Sequence, residues 1–283
     1  MGKITTTSQR EKFLLINTAL KRGVGRTARQ KAVSTAFRAN GKTAEAVQSP
    51  RKQNTGLKPG VNESAKQNIS DFLIWQLVDS AFPTGGFAHS LGLEAAWQHG
   101  EVRNRAELVS FVEAGLLQLG HASLPFVLAA FDEPEKLAEC DQLCDAFTSN
   151  HVANRASRAQ GRAFLTAVER IFKSEIRNPK SEIHFAHFAP VFGACLRRLE
   201  VSRDTTARMF FFSHLRSVLA AAVRLNCVGP MEAQMLQHRL TPKLEEILER
   251  CSSLSVDDLA QTSPLLDLWQ GAQDRLYSRL FQS

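Results

Sequence analysis

The sequence predicts an all-α protein: a single compact domain of about ten helices over residues 69–283, preceded by a disordered basic N-terminal segment, residues 1–68. Three observations carry this prediction. From Ser70 onward, apolar residues recur at spacings of three and four, which is the period of one helix face. Nowhere is there a sustained alternating run bounded by turn residues, as a strand requires. The first 68 residues hold 14 Lys and Arg against three acids and few apolar residues beyond Phe13-Leu14-Leu15-Ile16. So polar a segment cannot bury enough area to offset its chain entropy. A short helix near residues 9–22 is its one candidate element.

The first helix of the domain carries Phe72, Trp75, Leu77 and Val78, with Ser70 as its candidate cap. Pro83-Thr84-Gly85-Gly86 breaks it, since proline lacks a donor and the glycines free the backbone to turn. Phe87, His89 and Ser90 stand in that turn, and a second helix follows through Leu91, Leu93, Glu94, Ala95 and Ala96. Asn104 with Glu107 reads as a capping-box-like start to a helix bearing Leu108, Phe111, Val112, Leu116 and Leu119. Pro125 opens the next. Leu137, Cys140, Cys144 and Phe147 mark another. A long helix runs from Ala153 to Phe172, its early part built of small residues that admit a close neighbour, with Asn178-Pro179 as its stop.

The segment His184 to Leu199 is helical, with Pro190 near an end or kink. Phe210 to Leu225 is an apolar helix stopped by Gly229-Pro230. Met231 to Leu240 forms the next, Thr241-Pro242 starts a separate one, and Ser255 with Asp258 starts a last short helix. No internal repeat is visible. Each helix is too short to stand alone, so packed apolar faces must hold the domain together.

Composition narrows the function. The net charge of +7 is a property of one segment: residues 1–68 carry +11, and the remaining 21 basic and 25 acidic side chains give −4. That segment is read as a solvated tail ahead of an organelle-targeting peptide. A nucleic-acid arm ranks last, because interleaved aromatic residues for stacking are lacking. No apolar run approaches the ~20 residues of a membrane span; the longest, near Met209 to Leu225, is interrupted by Ser213, His214, Arg216, Ser217 and Arg224. The five cysteines show no metal-type pairing. Cys140 and Cys144 suit a buried helix face as reduced thiols, which fits a reducing compartment, the cytoplasm.

Several chemistries fail for want of parts. Gly85-Gly86 suggests phosphate binding, but no lysine-serine/threonine pair follows and no strand precedes. His89 and Ser90 are neighbours, which makes no catalytic dyad, and the nucleophile-elbow pattern is missing. His184 and His187 are three apart without a third ligand at suitable spacing, so one packed and one surface imidazole is expected. His89 alone supplies one metal ligand at most; two such histidines across a symmetric dimer could bind a metal transiently. Arg155, Arg158 and Arg162 form a basic stripe, either a solvated face or a carboxylate- or partner-binding one. The chain ends RLYSRLFQS, bulky and apolar, a segment that orders against its own body or a partner.

These residues carry a resemblance. PTGGFAHSLGLEAA (83–96) resembles the signature segment of the urease accessory protein UreF family. Similar stretches follow in order: NHVANRASRAQGRAFL (150–165), HFAPVFGACL (187–196), AAAVRLNCVGPMEAQMLQHRL (220–240) and LYSRLFQS (276–283). Leu91 departs from the pattern, standing where members often carry a second glycine. The resemblance implies an all-helical, non-enzymatic adaptor without a cofactor that forms a homodimer. It implies a complex with UreD (also UreH) and the GTPase UreG that loads nickel into apo-urease, with no role for nucleic acid or membrane. Partner contacts carry over to Tyr277, Arg279, Leu280 and Phe281 for UreD. Gly85, Gly86, Phe87, His89 and Glu94 carry over for UreG or the dimer surface. The alternative is a nickel-carrying metallochaperone with a His-based site.

Overall fold

A computed structural model describes residues 70–172 and 183–283; the expected disordered segment and its short helix lie outside the described residues. The described residues form ten α-helices joined by short 3₁₀ turns, with no strand among them. They are α1 (Asp71–Val78), α2 (Leu93–Gln98), α3 (Arg105–Ala122), α4 (Leu124–Asp132), α5 (Leu137–Phe147), α6 (His151–Ile171), α7 (Phe188–Arg198), α8 (Arg203–Arg224), α9 (Pro230–Cys251) and α10 (Pro264–Ala272).

Helix α7 is the centre. Every residue from Ala189 to Leu196 is buried. It packs most heavily on α4 and α6, while α8 pairs with α9 and α9 with α3. Two glycines allow the closeness. A Cβ on Gly193 would stand 2.0 Å from the Val127 carbonyl oxygen, and one on Gly161 2.0 Å from that of Ala186. Side-chain volume is excluded at both crossings, so backbone meets backbone. Phe164, Phe192 and Phe210 fill the space beyond, with ring centroids 5.3 and 5.5 Å apart in tilted pairs.

Local chemistry explains most helix starts. The Asn104 side chain accepts the Glu107 N–H at 3.0 Å, and Glu107 reaches back to the Arg103 N–H at 2.6 Å, one residue outside the usual box. Asn150 caps α6 through Val152 and Ala153. Asp141, fully buried, accepts the N–H groups of Phe185, Ala186 and His187, orienting the chain into α7. Burial pushes the thiols of Cys140 and Cys195 up to about 12, and that of Cys144 higher; all five cysteines are free.

The structure corrects several expectations. Ser70 makes no side-chain cap bond, and Phe72 and Trp75 face outward. Helix α2 starts at Leu93, because Leu91 and Gly92 both take positive φ, +59° and +87°. For a leucine that conformation costs about 1–2 kcal/mol, which a glycine would not incur. Helix α8 begins at Arg203, seven residues before Phe210, under a Ser202 cap on the Thr205 N–H. Pro242 does not start a helix; α9 runs through it. Proline removes one backbone bond at a cost of about 3 kcal/mol. Burial of Leu236, Leu240, Leu244, Ile247 and Leu248 along one face outweighs that loss. Ser255 and Asp258 do form a capping box, but over one 3₁₀ turn; the last helix is α10, starting at Pro264. Helix α6 ends at Ile171, and Asn178-Pro179 lies outside the described residues. The stretch Arg105–Asp132 is long and apolar enough to cross a membrane, but Ser123 divides it into α3 and α4 and most of it is buried within the fold.

Candidate functional site

The two segments nominated separately by the sequence, the glycine corner and the final octapeptide, form one site. Gly85 turns the chain at φ +71°, a conformation open to glycine, and a 3₁₀ turn, Gly86–Ala88, follows. That turn lies against α8. Residues 88–94 then receive the end of the chain.

Glu94 holds it. This carboxylate, 1% exposed, stands in the first turn of α2. Its Oε1 accepts the Leu280 N–H at 2.6 Å, and its Oε2 accepts the Phe281 N–H at 3.1 Å and Gln273 Nε2 at 2.6 Å. A buried charge is tolerated only when donors surround it, and here they do. Backbone pairing extends the grip: the Gln282 N–H donates to the Ala88 carbonyl at 2.8 Å, and the Ser90 N–H to that of Ser283. His89 Nδ1 lies 2.5 Å from the Ser283 hydroxyl. Burial, reinforced by the Arg155 charge, holds the His89 imidazole below its ordinary pKa.

Phe281 is the apolar anchor, 4% exposed. The Arg224 guanidinium lies over its ring at 4.2 Å and donates to the Phe87 carbonyl, so one side chain of α8 touches both corner and tail. At the other edge, Asp274 forms a bidentate pair with Arg155 at 2.8 and 3.0 Å and also meets Arg279 at 3.0 Å and His151 at 3.3 Å. The hydrogen bonds from Arg155 lead in holding the Asp274 carboxyl below its usual range.

The nominated residues therefore divide. Phe281, His89 and Glu94 face inward and are covered by this chain itself. Phe87 (75% exposed), Tyr277 (fully exposed) and Leu280 (52%) face solvent, with Arg279 beside them on the tail. Gly85 and Gly86 shape the turn. Of the other candidates, His187 is buried against Asp145 and Ser157 while His184 is exposed, one packed imidazole and one surface one. Among the described residues no group of three potential metal ligands converges. Behind the corner, a cavity of about 240 Å³ is lined by His89, Phe111, His214 and Ser283 among others.

Sequence reasoning missed Gln273, Asp274, Arg224 and Asp141. A signal existed for Glu94: a lone carboxylate inside the apolar run Leu93 to Trp97 points inward. None existed for Gln273, Leu280 and Phe281, its partners 179 or more residues away.

The UreF family model matches residues 102–241. Urease accessory protein F of Oryza sativa subsp. indica is 41% identical over 217 residues, 73% of this chain and 83% of that protein. The chain belongs to the UreF family. Urease accessory protein F of Arabidopsis thaliana is 40% identical over 219 residues, covering 74% of this chain and 91% of its own length. A UreF-like protein of Schizosaccharomyces pombe is 31% identical over 225 residues. In this UreF-family chain, the corner and the tail lie outside the span matched by the family model, yet they pack on helices inside it.

Proposed function

We propose that this chain serves urease maturation as a non-catalytic adaptor, working in the cytoplasm as a homodimer. It holds UreD (UreH) and the GTPase UreG in one geometry, modulates that GTPase, and so directs nickel into apo-urease. Nickel is cargo in this reading. Family membership supports the urease role. The observation that carries the adaptor reading is the composite surface. Its buried half, Glu94, His89 and Phe281, is saturated by contacts within the chain. Its outer half offers Phe87, Tyr277 and Leu280 with an arginine alongside, the mixture of apolar and aromatic anchors with arginine typical of interface hot spots.

The docked tail also dictates the test. Deleting residues 276–283 strips buried Glu94 of two of its donors, so loss of binding would be confounded by damage to the fold. Replacing exposed Tyr277 and Leu280 together with alanine avoids this. The double variant is expected to keep its thermal melting profile and lose co-purification with UreD. Retention of UreD at wild-type yield would sink the assignment.

A further inference from the structure

A second surface lies beside the tail and is not accounted for by the adaptor reading above. An open groove of about 520 Å³ runs along α6 from the end of α5, bordered by Thr148, Ser149, Asn154, Arg155, Arg158 and Arg162. The three arginines fall at helix spacings of three and four, on one face.

They differ in what they meet. Arg155 is satisfied by Asp274 in a two-pronged pair. The Arg158 guanidinium carbon lies 5.0 Å from the Phe185 ring centroid, over the ring face, in a cation–π contact. Its Nε is buried and has no hydrogen-bond acceptor. Asp145, whose carboxylate feels the Arg158 charge, is already engaged by Asn154 at 2.8 Å and His187 at 3.0 Å. Arg162 is exposed, and among the described residues no carboxylate lies within ion-pair distance of it. The groove thus holds one arginine that already reads a carboxylate and two more, in line with it, that do not.

We propose that this groove docks an acidic segment of a partner protein, whose carboxylates pair with Arg158 and Arg162 as Asp274 pairs with Arg155. Three features favour a carboxylate-bearing chain. The Arg155–Asp274 pair shows the stripe engaging that group in bidentate form. The groove is elongated along a helix and open to solvent, suited to an extended segment. Asp274 also bonds Arg279, so the groove continues into the exposed tail surface, and one partner can span both.

The test uses the full-length chain and a fluorescein-labelled hexaglutamate peptide, read by anisotropy at about 50 mM salt, where surface charge is incompletely screened. Arg158→Gln with Arg162→Gln is expected to weaken binding at least tenfold. Arg158→Lys with Arg162→Lys, which keeps charge but not the fork, is expected to weaken it several-fold. A benzophenone-bearing version of the peptide is expected to crosslink within residues 148–162, which separates the groove from the basic residues 1–68. Wild-type affinity in the glutamine double variant would overturn the proposal, as would crosslinks confined to residues outside the groove. Inorganic pyrophosphate binding that is tighter than hexaglutamate and lost in the same variant would mark a phosphate site and overturn it equally.

Discussion

Glu94→Ala should loosen the tail without unfolding the domain. The substitution removes the acceptor of the Leu280 and Phe281 N–H groups and of Gln273 Nε2. Tail release frees two of these donors, the Leu280 and Phe281 N–H groups, and at about 1–3 kcal/mol for each unpaired donor, keeping the tail in place would cost about 2–6 kcal/mol. Against that stand burial of the Phe281 side chain, worth about 2–3 kcal/mol, and the Arg224 contact, worth about 1–2 kcal/mol. The Gln282–Ala88 and Ser90–Ser283 pairings and the His89–Ser283 contact still hold the tail, so the penalty lowers the opening free energy without abolishing docking. A fall of about 3 kcal/mol in the opening free energy raises the open population by about a hundredfold. Trypsin reads this directly, because cleavage after Arg279 needs the Leu280 N–H free of Glu94, and slow cleavage tracks the open fraction. Release of the tetrapeptide Leu280–Ser283, followed by mass spectrometry, should accelerate by that order in the variant. Tyr277→Ala, which touches only solvent, should leave the rate unchanged. A Glu94→Ala rate within about threefold of wild type would refute the clamp.

Two further outcomes follow from the core. Gly193→Ala and Gly161→Ala each place a methyl 2.0 Å from a carbonyl oxygen, so α7 must move off a neighbour, and each should cost more than about 3 kcal/mol in urea denaturation, whereas Gly86→Ala, with no atom nearer than 3.5 Å, should cost under about 1. His214, in the cavity wall, has its pKa pulled down by burial to about 4. Its folded pKa lies below the unfolded value, so stability is complete above about pH 6.5 and falls as pH drops toward 4, by about 3 kcal/mol, and His214→Gln should flatten that slope in chemical-denaturation series.

Periodicity exposed the helices because their buried faces repeat, and the all-α class followed from it. It failed where a local signal was overruled by packing. Thr241-Pro242 has the form of a helix start, yet the stripe of leucines on both sides carries α9 across it. Phe72 and Trp75 have the composition of a core face but lie outside it, because α1 buries only Leu77. For the site, the corner and the tail were each legible as segments rich in turn-forming or bulky residues. Their union was not, since hydrogen bonds between residues 94 and 281 leave no trace in local spacing. Nor does composition tell that the phenylalanine of the tail points in while the tyrosine points out; that follows from which side of the docked strand of chain meets Arg224.

The two glycine crossings have a mechanical corollary. Where main chain touches main chain on both flanks of α7, no side chain can cushion a shift, so this helix cannot slide to absorb strain arriving from elsewhere. Compliance must come from the periphery, where α10 buries none of its own residues completely. The molecule is stiff at its hub, which includes the helix bearing the arginine groove, and less constrained at the margin that leads into the tail.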